Sequence, residues 1–190
     1  MMLQPNLPGA LEDRFLARKL KEIIKELRIS AVVETGVNEG KSTRDFAKMA
    51  ETVIGIDNDR KCIESAESLL RIQGSSNYEL LLGNSPDVLR TLVSRIDRER
   101  TMFFLDAHWE SYWPLNDEIR SIPRGRGVIV IHDCLVPGED LGYDSYGGTL
   151  LTYDYISGSL RDWSPRHRIE YNSRVRAEYP WRVVLFAYAN

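Results

Sequence analysis

Short apolar runs that alternate with amphipathic stretches constrain the fold of this chain more than any other feature of its sequence. The runs are rich in β-branched and aromatic residues and predict five strands, at residues 30–34, 52–57, 78–82, 101–106 and 127–132. Stretches with helical spacing of apolar residues precede and separate them, at residues 10–28, 41–50, 60–71, 86–96 and 114–122. This order indicates parallel strands joined by right-handed crossovers.

The last third of the chain is less regular. Residues 137–148 are rich in glycine, aspartate and tyrosine and predict a loop, and residues 150–160 predict a helix. Residues 168–172 and 182–188 predict two final strands that finish the sheet as an antiparallel pair. The expected fold is α/β: a doubly wound, mostly parallel seven-stranded sheet with helices on both faces, in a single domain over residues 1–190, with 1–28 as an N-terminal helical extension.

Composition excludes several classes of partner. The formal net charge of -3 gives no reason to expect a nucleic acid, and no apolar run has the roughly 20 residues that a membrane span requires. The spacing of the two cysteines fits neither a zinc motif nor a disulfide framework, and the N-terminus lacks the pattern of a secretory signal. A cytoplasmic location is therefore expected, and the sequence is compatible with a homo-oligomer.

Ligands of open parallel sheets bind beyond the carboxyl ends of the strands, so the residues that follow each strand are the informative ones. The first strand ends at Glu34, a turn carries Gly36 and Gly40, and a helix opens with Ser42 and Thr43. The motif matches neither G-x-x-x-x-G-K-[ST] nor G-x-G-x-x-G. An acidic residue here favours a ligand with an ammonium group and a sulfonium centre. The alternative is an ordinary turn between a strand and a helix.

The next two strands also end in polar residues. Asp57 ends the second strand and can accept hydrogen bonds from both hydroxyls of a ribose, or can cap the helix that follows. Asn84 and Ser85 follow the third strand, where they can bind the edge of an adenine or cap the next helix.

The order and spacing of these elements, from about residue 30 to residue 138, resemble those of the class I S-adenosylmethionine-dependent methyltransferases. The resemblance implies a Rossmann-like methyltransferase fold and S-adenosyl-L-methionine as cofactor. The implied cofactor-binding residues are Glu34, Thr35, Gly36, Val37, Gly40, Ser42, Thr43, Asp57, Asn58, Asn84, Ser85 and Asp106.

The segments M-F-F-L-D-A-H-W-E and V-I-V-I-H-D-C-L-V-P-G are similar to the metal-dependent O-methyltransferases of the catechol type and of the macrolide-sugar type. In those families acids that end the fourth and fifth strands hold magnesium. The similarity implies a metal site at Asp106, His132 and Asp133. An acid is replaced here by His132, whose imidazole suits manganese, zinc or iron better than magnesium.

The lysine that acts as base in the catechol-type enzymes has no counterpart at the matching position. The predicted catalytic residues are Asp106, His108 and His132, with either histidine as general base. The alternatives are a hydrogen-bonded strand-end residue for His132 and a partly exposed loop residue for His108.

Aromatic residues near these histidines can form a wall for the methyl acceptor or can pack a helix start: Trp109, Tyr112 and Trp113. Segment 137–165 is expected to form a lid on the acceptor side, with Tyr143, Asp144 and Tyr146 lining it, unless residues 137–148 are a surface loop.

The function expected from the resemblance is methyl transfer from S-adenosylmethionine to a hydroxyl group of a small molecule, with a divalent metal (Mg, Mn, Zn or Fe) as an assisting ion. Two alternatives stay open: a metal-dependent enzyme of the hydroxylase type on the same scaffold, and a non-catalytic protein that binds an adenosyl ligand.

Overall fold

The structure is a computed structural model that describes residues 10–92, 94–108, 112–172 and 184–189. A seven-stranded sheet forms the centre of the protein. Its strands are β1 (Ala31–Thr35), β2 (Thr52–Asp57), β3 (Tyr78–Leu82), β4 (Thr101–Leu105), β5 (Val128–His132), β8 (Arg168–Asn172) and β9 (Val184–Tyr188), and a separate pair is formed by β6 (Ser145–Tyr146) and β7 (Thr149–Leu150). The helices are α1 (Arg14–Glu26), α2 (Lys41–Ala47), α3 (Arg60–Ile72), α4 (Ser85–Leu92), α5 (Leu115–Ser121) and α6 (Tyr153–Trp163).

The strand order is β3-β2-β1-β4-β5-β9-β8. Strands β2 and β3 are added on one side of β1, and the chain then crosses to the other side of β1 to add β4 and β5. Strands β1 to β5 are parallel, while β9 is antiparallel to both β5 and β8. The predicted doubly wound, seven-stranded sheet with an antiparallel final pair is therefore confirmed. The order also places a topological switch point between β1 and β4, where a ligand crevice is expected.

Two apolar layers cover the sheet. Helices α4, α5 and α6 contribute to the core on one face, and α1 and α2 contribute to the core on the other. All five residues of each of the strands β1, β4, β5 and β9 are buried. A strand covered on both faces has no solvent-facing side, which explains why these strands are apolar over most of their length.

Several predicted boundaries differ from the structure. The helix predicted at 150–160 begins at Tyr153, because the Thr152 hydroxyl caps it by accepting from the Tyr155 N–H at 3.2 Å. The predicted loop 137–148 contains β6, which pairs with β7. Residues 182 and 183 of the predicted last strand and residues 1–9 of the N-terminal extension lie outside the described residues.

The register aligns the tips of the central strands. Thr35, the last residue of β1, pairs with Ile56 on one side and with Leu105 on the other. The Asp106 N–H then donates to the Thr35 carbonyl at 3.2 Å. The segments that follow these three strands consequently start at one level.

Within the described ranges, no helix has the length and apolar character needed to cross a membrane.

Candidate active site

Two glycines give the turn after β1 its shape. Both have positive φ, 77° at Gly36 and 79° at Gly40. A Cβ atom at Gly36 would lie 2.6 Å from the Asp106 carbonyl oxygen, and one at Gly40 would lie 2.7 Å from the Ala66 Cα. Glycine is therefore required at both positions for conformation and for space, so that the turn can pack against the end of β4 and against α3.

Glu34 lies beneath this turn and is completely buried. The Thr43 hydroxyl donates to its Oε2 at 2.5 Å, which joins the end of β1 to the first turn of α2, and its Oε1 has no hydrogen-bond partner within the described residues. Burial raises the pKa of Glu34 to about 8, although the Ser42 and Thr43 hydroxyls lower it and the charges of Asp106 and Asp57 add to the rise. Burial makes the charged form of a carboxyl unfavourable.

Asp57 holds the turn after β1 from the neighbouring strand. Its Oδ2 accepts from the Asn38 N–H at 2.9 Å, and its Oδ1 accepts from the Asp59 N–H at 2.9 Å. The N-cap of α3 is Asp59, which accepts from the Lys61 N–H at 2.8 Å. The alternative role predicted for Asp57, capping the helix that follows, is therefore performed by Asp59.

A cavity of about 550 Å³ opens above the strand tips. Residues that follow β1, β2, β3 and β4 line it, and they include the predicted site residues Gly36, Asp57, Asn58, Ser85, Asp106 and His108. Other predicted cofactor residues lie at the end of β1, in the turn or at the start of α2 rather than in the cavity wall: Glu34, Thr35, Val37, Gly40, Ser42 and Thr43. These residues form the support of the wall.

The two residues after Gly83 have different positions. Ser85 begins α4, is 2% exposed and lines the cavity. Asn84 is not among the lining residues, and its side-chain amide donates to Asp87 Oδ2 at 2.8 Å. The Asn84 Oδ1 and the Ser85 hydroxyl are both buried without a hydrogen-bond partner in the described part of the chain. Buried polar atoms of this kind are uncommon and call for an explanation, such as a bound ligand.

The predicted metal residues converge on one point. The His132 Nδ1 lies 3.1 Å from the Asp106 Oδ1 and 3.0 Å from the Asp133 Oδ2, and one ligand atom from each residue falls within 4.8 Å of the others. Burial lowers the pKa of His132, but the charges of Asp106 and Asp133 outweigh it and raise that pKa well above its usual value. Asp133 has a positive φ of 53°, a conformation that few residues other than glycine adopt.

Segment 137–148 brings a further carboxylate to this cluster. The Asp144 N–H donates to the Asp133 carbonyl at 2.9 Å, and the Leu151 N–H donates to the Asp144 carbonyl at 2.9 Å. The Asp144 Oδ2 lies 3.9 Å from the Nδ1 of His108, whose side chain is 57% exposed. Burial and the nearby Asp133 charge raise the pKa of Asp144.

The aromatic residues predicted to line an acceptor site make contacts with several segments. Trp113 stacks on Tyr155 with ring centroids 5.0 Å apart, and it lies 6.1 Å from Tyr146 of β6. The Tyr112 hydroxyl is instead hydrogen-bonded to Asp117. Trp109 lies outside the described residues.

Sequence reasoning missed one acidic residue of the site. Glu118 of α5 is completely buried, and within the described residues neither of its carboxyl oxygens has a hydrogen-bond partner. Burial raises its pKa to about 7, the nearby Ser85 and Thr35 hydroxyls lower it, and Asp106 and Asp117 raise it further. The residue occupies a position between Leu115 and Ile119 on the apolar face of its helix. An acid at a core position of the helical period was the signal that could have revealed it.

Comparisons with known proteins identify the fold but not a sequence family. No family model and no curated protein sequence matches the chain. Among solved structures, the O-methyltransferase TomG of Streptomyces achromogenes, determined with S-adenosylmethionine, is 19% identical with a TM-score of 0.66, over 93% of this chain and 79% of that chain.

Two further solved structures have the same fold as this chain. A Staphylococcus aureus protein assigned as a caffeoyl-CoA O-methyltransferase is 14% identical with a TM-score of 0.65, over 94% of this chain and 84% of that chain. An rRNA methylase of Streptococcus thermophilus is 12% identical with a TM-score of 0.56, over 98% of this chain and 99% of that chain. The Rossmann-like methyltransferase fold expected for this chain is thereby confirmed. Because the fold is shared by enzymes with different acceptors, it does not define the acceptor.

Proposed function

We propose that the protein is an S-adenosylmethionine-dependent methyltransferase that methylates a hydroxyl group of a small molecule. The observation that carries the proposal is the cavity at the switch point of the sheet, which joins Gly36 after β1, Asp57 at the end of β2 and Ser85 after β3. These are the three positions that the resemblance assigns to the methionine part, the ribose and the adenine. The fold of TomG and the other methyltransferases supports the same cofactor.

The ribose and the adenine of the cofactor each have a matching group. The Asp57 carboxylate faces the cavity and can accept from the ribose hydroxyls, and the Ser85 oxygen is a buried acceptor without a partner in the described residues. Glu34 is covered by Thr43 and is completely buried. Its role in the proposal is to hold the turn that faces the methionine part.

Methyl transfer is an in-line displacement, so the protein must align the acceptor oxygen with the methyl group and the sulfur and must remove a proton. His108 is assigned as general base, because it lines the cavity and Asp144 lies 3.9 Å from it. His132 is less suited to accept a proton, since two carboxylates surround its Nδ1 and favour its charged form.

Asp106, His132 and Asp133 offer two carboxylate oxygens and one imidazole nitrogen to a divalent ion. This mixed donor set fits manganese, zinc or iron better than magnesium. A bound ion would lower the pKa of an acceptor hydroxyl. The cluster contains one histidine and two carboxylates, whereas non-haem iron oxygenases hold iron with two histidines and one carboxylate. The three residues therefore do not favour the hydroxylase alternative.

Under this proposal the enzyme is cytoplasmic, and its methyl acceptor is a small molecule. It acts neither on a nucleic acid nor at a membrane. Both cysteines, Cys62 and Cys134, are free thiols, as expected in a reducing compartment. The acidic groups of the site disfavour an anionic acceptor.

Calorimetry with S-adenosylhomocysteine tests the cofactor. Binding is expected for the unmutated chain, and weaker binding is expected for Asp57→Ala, which removes the ribose acceptor. Absence of both heat and thermal stabilisation at millimolar ligand would refute the proposal. Methyl transfer from labelled S-adenosylmethionine to a set of hydroxylated acceptors, with and without chelator, then separates an enzyme from an adenosyl-ligand sensor. Unchanged metal content in Asp106→Ala and Asp133→Ala would remove the metal from the proposal.

A further inference from the structure

Strand β3 forms one edge of the seven-stranded sheet, on the side away from β5. Within the described ranges it pairs with β2 alone, and the Asn77 carbonyl and the Gly83 N–H both bond to that neighbour at 2.9 Å. The backbone groups of successive residues in a strand point to opposite sides. The N–H and C=O groups of Tyr78, Leu80 and Leu82 therefore face outward, where a further strand could bond to them.

The β3 edge lacks the features that usually prevent such pairing. Natural edge strands carry charged side chains, proline or bulges. Residues 78–82 read Y-E-L-L-L, and their register with β2 is continuous. The charge of Glu79 is already paired, because Arg95 Nη2 lies 2.9 and 2.7 Å from its two carboxyl oxygens. The opposite edge, β8, differs in carrying both Arg168 and Glu170. Strand β3 is thus the edge that is suited to a partner.

A groove of about 540 Å³ runs beside this edge, between α3 and β3. Its lining combines the apolar Leu80 with the charged Glu64 and Arg71. The two elements that form the groove also end in exposed apolar residues, since Ile72 ends α3 with 77% exposure and Leu82 ends β3 with 43% exposure. Exposed apolar surface beside an open sheet edge is typical of a contact surface.

The charges of the groove are arranged so that the surface complements itself. The short turn after α3 leads directly into β3, so Arg71 lies level with the start of the strand. Leu80 is about 6.6 Å further along, which corresponds to about four residues of the helix running back beside it. The level of Leu80 is therefore near Glu67, midway between Glu64 and Arg71. A two-fold axis through Leu80 brings Glu64 of one copy to Arg71 of another.

We propose that the β3 edge is the interface of a homodimer, in which β3 pairs antiparallel with β3 of a second copy about a two-fold axis at Leu80. Leu80 pairs with its own counterpart, and Tyr78 pairs with Leu82 of the second copy, each pair exchanging two backbone hydrogen bonds. The two sheets become continuous, with a strand spacing of about 4.8 Å, so the two α3 helices become neighbours. Glu64 and Arg71 then meet twice, once on each side of the axis.

Analytical ultracentrifugation of the full chain, from about 1 to 100 µM, provides the first test. We expect a species of twice the chain mass of 21.8 kDa at the upper concentrations. A monomer throughout would overturn the proposal and leave the edge to a different partner. Leu82→Lys adds an edge charge and should raise the dimer Kd at least about tenfold. Leu27→Lys is the matched control, because Leu27 is 44% exposed and lies at the end of α1. Equal Kd values in the two variants would place the dimer contact elsewhere.

Exchange of the two charges tests the register without altering β3. Glu64→Arg and Arg71→Glu each bring like charges together, and each should raise the dimer Kd at least about tenfold. The double variant restores opposite charges and should return to within about threefold of the unmutated chain.

The control for the charge exchange is Arg18→Glu. Arg18 is paired with Glu22 four positions along its helix, as Arg71 is paired with Glu67, and both arginines are exposed. This variant should leave the dimer Kd unchanged. Circular dichroism confirms that each variant is folded. Single variants without effect, or a double variant no better than either single one, would refute the antiparallel pairing about Leu80.

Discussion

The imidazole of His132 lies between two carboxylates, with its Nδ1 3.1 Å from Asp106 and 3.0 Å from Asp133. His132 is the last residue of β5, and Asp106 and Asp133 directly follow the adjacent parallel strands β4 and β5, so the sheet fixes where the three residues meet. The side chain of His132 is only 2% exposed, which leaves little solvent to screen the charges.

His132→Ala should therefore destabilise the fold, because it leaves two carboxylates facing each other without a positive group. We expect a loss of about 3–5 kcal/mol in the free energy of unfolding, the range found when one partner of a buried charge pair is removed. Urea denaturation in the presence of chelator measures it without any contribution from metal. His108→Ala is the control, since its exposed side chain should contribute less than about 0.5 kcal/mol. A similar small loss in both variants would contradict the buried pair.

His108→Ala should affect catalysis instead. If His108 removes the acceptor proton, its loss should lower kcat by about 10²–10⁴, with a much smaller change in the Kd of S-adenosylhomocysteine. Asp144→Asn should lower kcat less, because Asp144 acts only through its position beside His108, at 3.9 Å. Labelled methyl transfer and calorimetry provide the two measurements. A fall in cofactor affinity equal to the fall in kcat would indicate that His108 binds rather than catalyses.

Stability should depend on pH through Glu34. Its folded pKa of about 8 is above the value of 4.5 for an ordinary glutamate, so the folded state keeps a proton that the unfolded state releases between these values. The contribution is fully present below about pH 4.5 and is lost as pH rises toward 8, with a slope of at most about 1.4 kcal/mol per pH unit. Glu34→Gln should remove this slope.

Denaturation of Glu34→Gln and the unmutated chain at several values between about pH 5 and pH 8 tests the prediction. The matched control is Glu51→Gln, because the Glu51 side chain is 75% exposed. If the free energy of unfolding of Glu34→Gln depends on pH in the same way as that of the unmutated chain, the proton retained by the folded state is bound to a residue other than Glu34.

Gly36→Ala should disrupt the turn more than its backbone conformation alone explains. Gly36 and Gly74 have similar positive φ values, 77° and 70°. An added Cβ meets the Asp106 carbonyl at 2.6 Å in the first case and nothing within 4 Å in the second. Gly74→Ala should thus show only the conformational cost of about 1–2 kcal/mol, and Gly36→Ala should exceed it and weaken S-adenosylhomocysteine binding. Thermal unfolding and calorimetry measure both, and equal losses would show that the contact with Asp106 is unimportant.

The central strands β1, β4, β5 and β9 were predictable because they are buried on both faces, and the strands near and at the edges were predictable from their β-branched and aromatic residues. Thr52–Asp57, Tyr78–Leu82 and Arg168–Asn172 have the predicted bounds, and the antiparallel final pair follows from the same patterns. The resemblance to the metal-dependent O-methyltransferases implied Asp106, His132 and Asp133 as one group, and the structure brings one ligand atom from each residue within 4.8 Å of the others.

Other parts of the site depend on tertiary contacts that local patterns do not encode. Asp144 reaches the cluster through hydrogen bonds with Asp133 and Leu151, which lie 11 and 7 positions away in the sequence. Glu118 occupies a core position of the helical period of α5, but only the packing of α4 against α5 shows that this acid is buried. Asp57 and Asp59 are both suitable caps, and only the structure shows that Asp59 is the one used.

The common level at which β1, β2 and β4 end has a consequence for how this architecture can diversify. Thr35 pairs with both Ile56 and Leu105, so the base of the cavity is set by backbone hydrogen bonds between neighbouring strands. Segment 137–165 leaves the sheet only after β5 and shares none of those bonds. Insertions and substitutions there can therefore reshape the surroundings of the cavity without disturbing the strand ends beneath it.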